Sequence, residues 1–198
     1  MTQQDALDRR KVVARLLQDR KNLLLVTGLG SPTYDAMAAG DDDLNFYLWG
    51  AMGSAAMIGF GLAMAQPDRP VLVLTGDGEM LMGLGSLVTI GIRKPRNLTI
   101  VVLDNEHYGE TGMQPSHTSS EMKLDEIARV SGFGRTEETR ETNRVESMNP
   151  TRLVSRASKL TPIRRHVCWH QETAYTSKTD FVPLWDSTRS NHEQTGSR

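Results

Sequence analysis

Three short runs, Leu23 to Thr27 (LLLVT), Val71 to Thr75 (VLVLT) and Leu98 to Leu103 (LTIVVL), are apolar on both faces and rich in β-branched residues. A strand sends its side chains alternately to two faces, so a run that is apolar throughout has to be covered on both sides, as in a parallel sheet between helices. That requirement leaves few architectures open. Between the runs lie segments of helical character. Ser54 to Ala65 is small and apolar all round, as suits a helix pressed closely on a sheet, and Glu79 to Ile92 reads as a second such helix. Asp5 to Asp19 sets Leu7, Val12, Val13, Leu16 and Leu17 at helical spacing and reads as an amphipathic opening helix, with a further one at Leu124 to Val130. Strand and helix in alternation predict an α/β fold, a doubly wound, mostly parallel sheet with helices on both faces. Ligands of such sheets sit beyond the carboxyl ends of the strands, so function is sought in the turns that follow them.

Past about residue 134 the character of the chain changes. Of its 17 glycines only Gly196 lies beyond Gly134, and the last segment is rich in Arg, Thr, Ser and Asn without a clean period of 2 or 3.6. We expect a core domain over 1–134 and an atypical C-terminal segment over 135–198, partly ordered or divergent. In that segment Thr151 to Leu160 suits a helix, Arg165 to Trp169 a strand, and the residues from Glu172 onward a loop or tail. The shift in glycine content and period is what a divergent end, or a change of reading frame, would produce.

Composition narrows the function classes. Lys and Arg number 23 against 24 Asp and Glu, so no basic field exists to attract a nucleic acid. No apolar stretch approaches the roughly 20 residues of a membrane span, and the opening residues do not read as a signal peptide, so a cytoplasmic protein is expected. The single cysteine, Cys168, excludes an intramolecular disulfide and an all-cysteine metal cluster within the chain.

The chemistry concentrates in two turns. Val71 to Thr75 is followed by Gly76-Asp77-Gly78-Glu79, and Leu98 to Leu103 by Asp104-Asn105-Glu106-His107-Tyr108-Gly109. Residues 79 to 104 separate the two motifs, about enough for one helix and one strand, which would bring Asp77 and Asn105 to adjacent strand ends. A carboxylate, an amide oxygen and a main-chain carbonyl form a hard oxygen site of the kind Mg²⁺ takes, with water and phosphate oxygens completing its octahedron. The flanking glycines let backbone N–H groups approach a diphosphate, and a helix starting there turns its positive end towards it.

GDG, some two dozen residues and then an asparagine resembles the signature of the pyrophosphate-binding domain of thiamine diphosphate enzymes. The resemblance implies thiamine diphosphate and Mg²⁺ as cofactors, with Asp77, Asn105 and the His107 main-chain carbonyl as metal ligands. It also implies that Gly76, Gly78 and Glu79 meet the diphosphate, the last two mainly through backbone N–H groups. The asparagine that usually precedes the ligand is Asp104 here. Upstream, Trp49-Gly50-Ala51-Met52-Gly53 is similar to the segment under the thiamine, where Gly50 would accept the aminopyrimidine's amino group and Met52 would wedge the cofactor into its bent form.

Within the family the two motifs look most like the small (beta) subunits of sulfopyruvate and phosphonopyruvate decarboxylases. That likeness implies non-oxidative decarboxylation of a small-molecule 2-oxoacid by a hetero-oligomer. A separate pyrimidine-binding-domain subunit would supply the activating glutamate, for which this chain has no counterpart. An acetolactate synthase-like carboligase subunit and a catalytically inactive cofactor-binding or assembly module remain alternatives. Gly28-Leu29-Gly30-Ser31 lacks the third glycine of a dinucleotide fingerprint and reads as a turn with Ser31 capping a helix before Pro32, though Ser31 could touch the diphosphate. Tyr108 either packs or binds the cofactor, and His117 is a candidate proton donor.

Overall fold

The structure, a computed structural model, describes residues 7–139 and 159–164. All of them fall within one unit of the chain, Met1–Cys168. The predicted strands form where the apolar runs lie: β1 (Leu24–Thr27), β3 (Val71–Gly76) and β4 (Leu98–Asp104). They are joined by β2 (Asn45–Tyr47), β7 (Arg135–Thr136) and β8 (Lys159–Arg164) in one sheet of order β2-β1-β3-β4-β8-β7. Every pairing in it is parallel. A short antiparallel ribbon, β5 (His107–Tyr108) with β6 (Gln114–Pro115), stands apart from the sheet.

Alternation along the strands divides the core into two layers. Val26, Val71, Val73, Ile100 and Val102 point to one face, where they meet α3 (Ala55–Ala65), α5 (Ser86–Arg93) and α6 (Leu124–Val130) through Ala56, Leu87, Ile90 and Leu124. Leu25, Leu72, Leu74, Val101 and Leu103 point to the other, where α1 (Arg9–Leu17) and α2 (Ser31–Ala39) contribute Val13, Leu16 and Ala36. The doubly wound α/β fold follows from this burial on both faces, each fully buried Leu, Ile or Val contributing on the order of 1.5–3 kcal/mol.

Several boundaries differ from expectation, each for a local reason. The segment Glu79 to Ile92 is not one helix: α4 (Asp77–Met82) ends at Gly83 and α5 starts at Ser86. The break falls where Gly83 presses against the backbone of Gly53, so close that a Cβ on Gly83 would lie 2.1 Å from the Gly53 carbonyl oxygen. Ser31 is not a helix cap; Gly30, at φ 80°, takes that place and Ser31 is the first helical residue. Lys159 and Leu160 are strand, not the end of a helix, while residues 151–158 and the strand expected at Arg165 to Trp169 lie outside the described residues. Pro162 argues against a central strand. Because β7 pairs with Lys159 and Leu160, however, the proline has β4 as its single strand neighbour among the described residues. β2, with its half-exposed pattern, carried no apolar run to announce it.

No helix among the described residues is long and apolar enough to cross a membrane.

Candidate functional site

Because the strands are parallel, their carboxyl ends open on one side, and β3 and β4 end together, Gly76 opposite Leu103. The turns that follow lie side by side there. The chain enters α4 directly from β3, so Asp77 and Glu79 occupy its first turn, where acidic groups are favoured by the exposed N–H groups.

Asp77 is buried, 2 % exposed. Its Oδ2 accepts the Ser116 hydroxyl at 2.5 Å and the Thr118 hydroxyl at 3.3 Å. The single proton of Thr118 has its shorter acceptor in Oδ1 of Asp104, at 2.7 Å, and Asp104 is fully buried. Burial pushes the Asp77 carboxyl up to about 6; the Ser116 bond opposes the rise and the neighbouring Asp104 charge adds to it. The site thus holds a buried carboxylate whose charge is under-compensated by protein alone.

The second turn is shaped by its own side chains. Asp104 Oδ1 accepts the Glu106 N–H at 3.0 Å, and Asn105 Oδ1 accepts the His107 N–H at 3.1 Å. These local bonds stabilise a bend in which Glu106 takes a positive φ of 63°. Asp104, which stands in place of the first asparagine of the usual pair, is therefore a buried holder of the turn. The Asn105 oxygen keeps a second lone pair beyond its bond to His107.

The Glu79 side chain is committed inside the protein. Oε1 accepts the N–H groups of Gly53 at 2.9 Å and Ala55 at 3.0 Å, and Oε2 accepts the Thr75 hydroxyl. Gly78 lies flat against Tyr108, so that a Cβ there would meet the ring at 2.6 Å.

These turns line a cavity of about 340 Å³, within the range of small-molecule sites. Asp77, Asn105 and His107 all face it, as do Gly76, Gly78, Glu79 and Tyr108. Ser31 and Met52 reach it from the first turn and from the loop before α3. Gly50, at φ 82°, is not part of the lining. His117 is exposed and also lies outside it, so the structure does not bring this histidine to the site. The residues on either side of it, Ser116 and Thr118, were overlooked, although they make the contacts to Asp77. Arg9 was overlooked as well: it lines the cavity from α1 while its Nε sits 2.5 Å from the buried Asp35.

Among the described residues no three His, Cys, Asp or Glu side chains converge as a metal site. A cation here would rest on one carboxylate, the Asn105 amide oxygen and a main-chain carbonyl, a donor set suited to Mg²⁺ sharing its shell with phosphate oxygens. The elevated Asp77 carboxyl fits that group, since a divalent ion supplies the missing positive charge.

Comparison with known proteins places the chain in a family. Residues 32–149 match the family described as thiamine pyrophosphate enzyme, C-terminal TPP binding domain. The chain is 44% identical over 110 residues to sulfopyruvate decarboxylase subunit beta of Methanocaldococcus jannaschii, covering 56% of this chain and 58% of that protein. It is 42% identical over 113 residues to phosphonopyruvate decarboxylase of Streptomyces viridochromogenes, covering 57% of this chain and 28% of that one. The matched part thus spans little over half of the first relative and under a third of the second. A thiamine diphosphate-dependent 4-hydroxybenzoylformate decarboxylase of Rhodococcus jostii superposes with a TM-score of 0.69 at 20% identity, over 85% of this chain and 34% of that chain, and shares its fold. Since the matched segment takes in both strand-end turns and well over half of the residues, the chain belongs to the family of thiamine pyrophosphate enzyme C-terminal, TPP-binding domains.

Proposed function

We propose that this chain is the diphosphate-binding subunit of a thiamine diphosphate- and Mg²⁺-dependent 2-oxoacid decarboxylase acting on a sulfopyruvate- or phosphonopyruvate-like substrate. The observation that carries the reading is the buried Asp77 carboxylate facing the same cavity as Asn105. The names of the relatives, one of them a subunit beta, support the reaction and the need for a second chain.

Asp77, the Asn105 amide oxygen and the His107 carbonyl would hold Mg²⁺. The backbone N–H groups at Gly78 and Glu79 would meet the diphosphate, with Gly76 leaving room for it and Ser31 approaching from the first turn. Met52 and Gly50 would support the thiamine end, and Tyr108 would pack on Gly78 at the cavity wall. When bound, the cofactor supplies the electron sink for loss of CO₂. The Ser116 and Thr118 hydroxyls would keep Asp77 oriented, and Leu103 and Met82 give the wall its apolar part. The glutamate that activates the cofactor would come from the pyrimidine-binding partner.

Two measurements test this. Thiamine diphosphate with Mg²⁺ should raise the melting temperature of the full chain, and Asp77→Ala should abolish the rise. Release of CO₂ from sulfopyruvate or phosphonopyruvate should require the partner subunit; turnover by this chain alone would refute the division of labour.

A further inference from the structure

Three segments line the cavity from different parts of the sequence: the turn after β1, the loop of residues 50–55, and the start of α4. One side chain of the third, Glu79, binds the second and lies close to the first. Glu79, 3 % exposed, binds the Gly53 and Ala55 N–H groups through Oε1 and the Thr75 hydroxyl through Oε2. The same carboxylate packs under the first turn, where a Cβ on Gly28 would lie 3.2 Å from Oε2. A second contact fixes the loop independently. Gly53, at φ 92°, meets Gly83 backbone to backbone, with a Cβ at Gly53 falling 2.8 Å from the Gly83 nitrogen. The loop is thereby pinned to both ends of α4, at Glu79 in its first turn and at Gly83 just past its last residue.

We propose that Glu79 is a positioning residue: its carboxylate holds the 50–55 loop, and with it Met52, at a fixed height above the Asp77 end of the cavity, so that the ring-bearing part of the cofactor finds its support already in place. This rests on the cofactor reading above. Both carboxylate oxygens are engaged within the protein, so Glu79 acts through the loop and not on the reacting atoms. Without it two N–H groups, one of them buried, lose their acceptor, and the loop is released while the diphosphate end, built on Asp77, Gly78 and Asn105, keeps its own bonds.

Comparing two ligands on the full chain separates positioning from general support. Calorimetry would measure Mg²⁺ with thiamine diphosphate against Mg²⁺ with inorganic pyrophosphate, which lacks the rings. Glu79→Ala should weaken thiamine diphosphate by about tenfold or more while pyrophosphate stays within about threefold, and Glu79→Gln, which retains an acceptor oxygen, should recover most of the loss. An equal loss for both ligands, or none for thiamine diphosphate, overturns the proposal. Failure of the unaltered chain to bind either ligand would overturn the cofactor reading itself and the proposal with it. Should Glu79→Ala not fold, amide exchange of the unaltered chain decides: slow exchange at Gly53 and Ala55 before any ligand is added supports a preset loop, and exchange at unstructured rates refutes it.

Discussion

Ser116 donates its hydroxyl to Asp77 across 39 residues of sequence, at 2.5 Å. Through this bond the segment after the β5–β6 ribbon takes part in the site, and with Thr118 it forms the polar lid over two buried carboxylates, Asp77 and Asp104.

Asp77 sets a conflict between binding and stability. Its carboxyl is pushed up to about 6 from 3.8, so the fold holds the proton more tightly than the unfolded chain does. Its contribution therefore favours the fold below about pH 4, declines as pH rises through about 6, and stays lost above that. Asp77→Asn should stabilise the unliganded chain at pH 7.5 by up to about 3 kcal/mol and flatten its stability profile between pH 4 and 6.5, while removing the response to Mg²⁺ and thiamine diphosphate. Denaturant titrations of both proteins across that range check it, and parallel profiles would refute it.

The Thr118 hydroxyl sits between the two carboxylates, 2.7 Å from Asp104 and 3.3 Å from Asp77. Thr118→Val keeps the shape and removes the donor, and is expected to cost about 1–3 kcal/mol, whereas Thr118→Ser should cost less than about 1. Chemical denaturation at pH 7.5 provides the comparison; an equal cost for the two would show that packing, not the hydroxyl, matters.

Gly78 and Tyr108 form a steric pair. Gly78→Ala should destabilise the chain by about 1–3 kcal/mol because the new methyl meets the ring, and combining it with Tyr108→Ala should relieve much of that cost. A double-mutant cycle that proved additive would mean the alanine does its harm elsewhere.

Arg9 compensates Asp35, whose side chain is fully buried. Burial raises the Asp35 pKa above its ordinary value, and Arg9 opposes the rise. Arg9→Met should therefore raise it further and destabilise the chain at pH 7 by about 3 kcal/mol, a deficit that shrinks as pH falls and Asp35 takes up its proton. Melting temperatures at pH 5 and pH 7.5 distinguish this from a loss independent of pH.

The sheet was legible because three runs with no polar face admit little else, and their strands appear within one residue at either end of the predicted spans. The two turns were legible because they follow those runs directly. Hidden from the sequence were contacts that no period encodes: Ser116 and Thr118 sit in a loop whose spacing to Asp77 is set by the β5–β6 ribbon, and the Glu79 side chain turns inward to a loop 24 residues upstream of it. The break between α4 and α5 escaped notice for the same reason, since Gly83 there answers to Gly53, a residue far off in the chain.

The alternation of β3 between the two helical layers has a further reach. Val71 and Val73 face one layer and Leu72 and Leu74 the other, so inserting or deleting a single residue within this strand would reverse which layer each of them serves. Gly76 and Asp77 follow without an intervening loop to absorb the slip. The phase of these four apolar residues thus decides on which side of the sheet the carboxylate emerges, and one residue gained or lost there would silence the site without altering any residue that touches it.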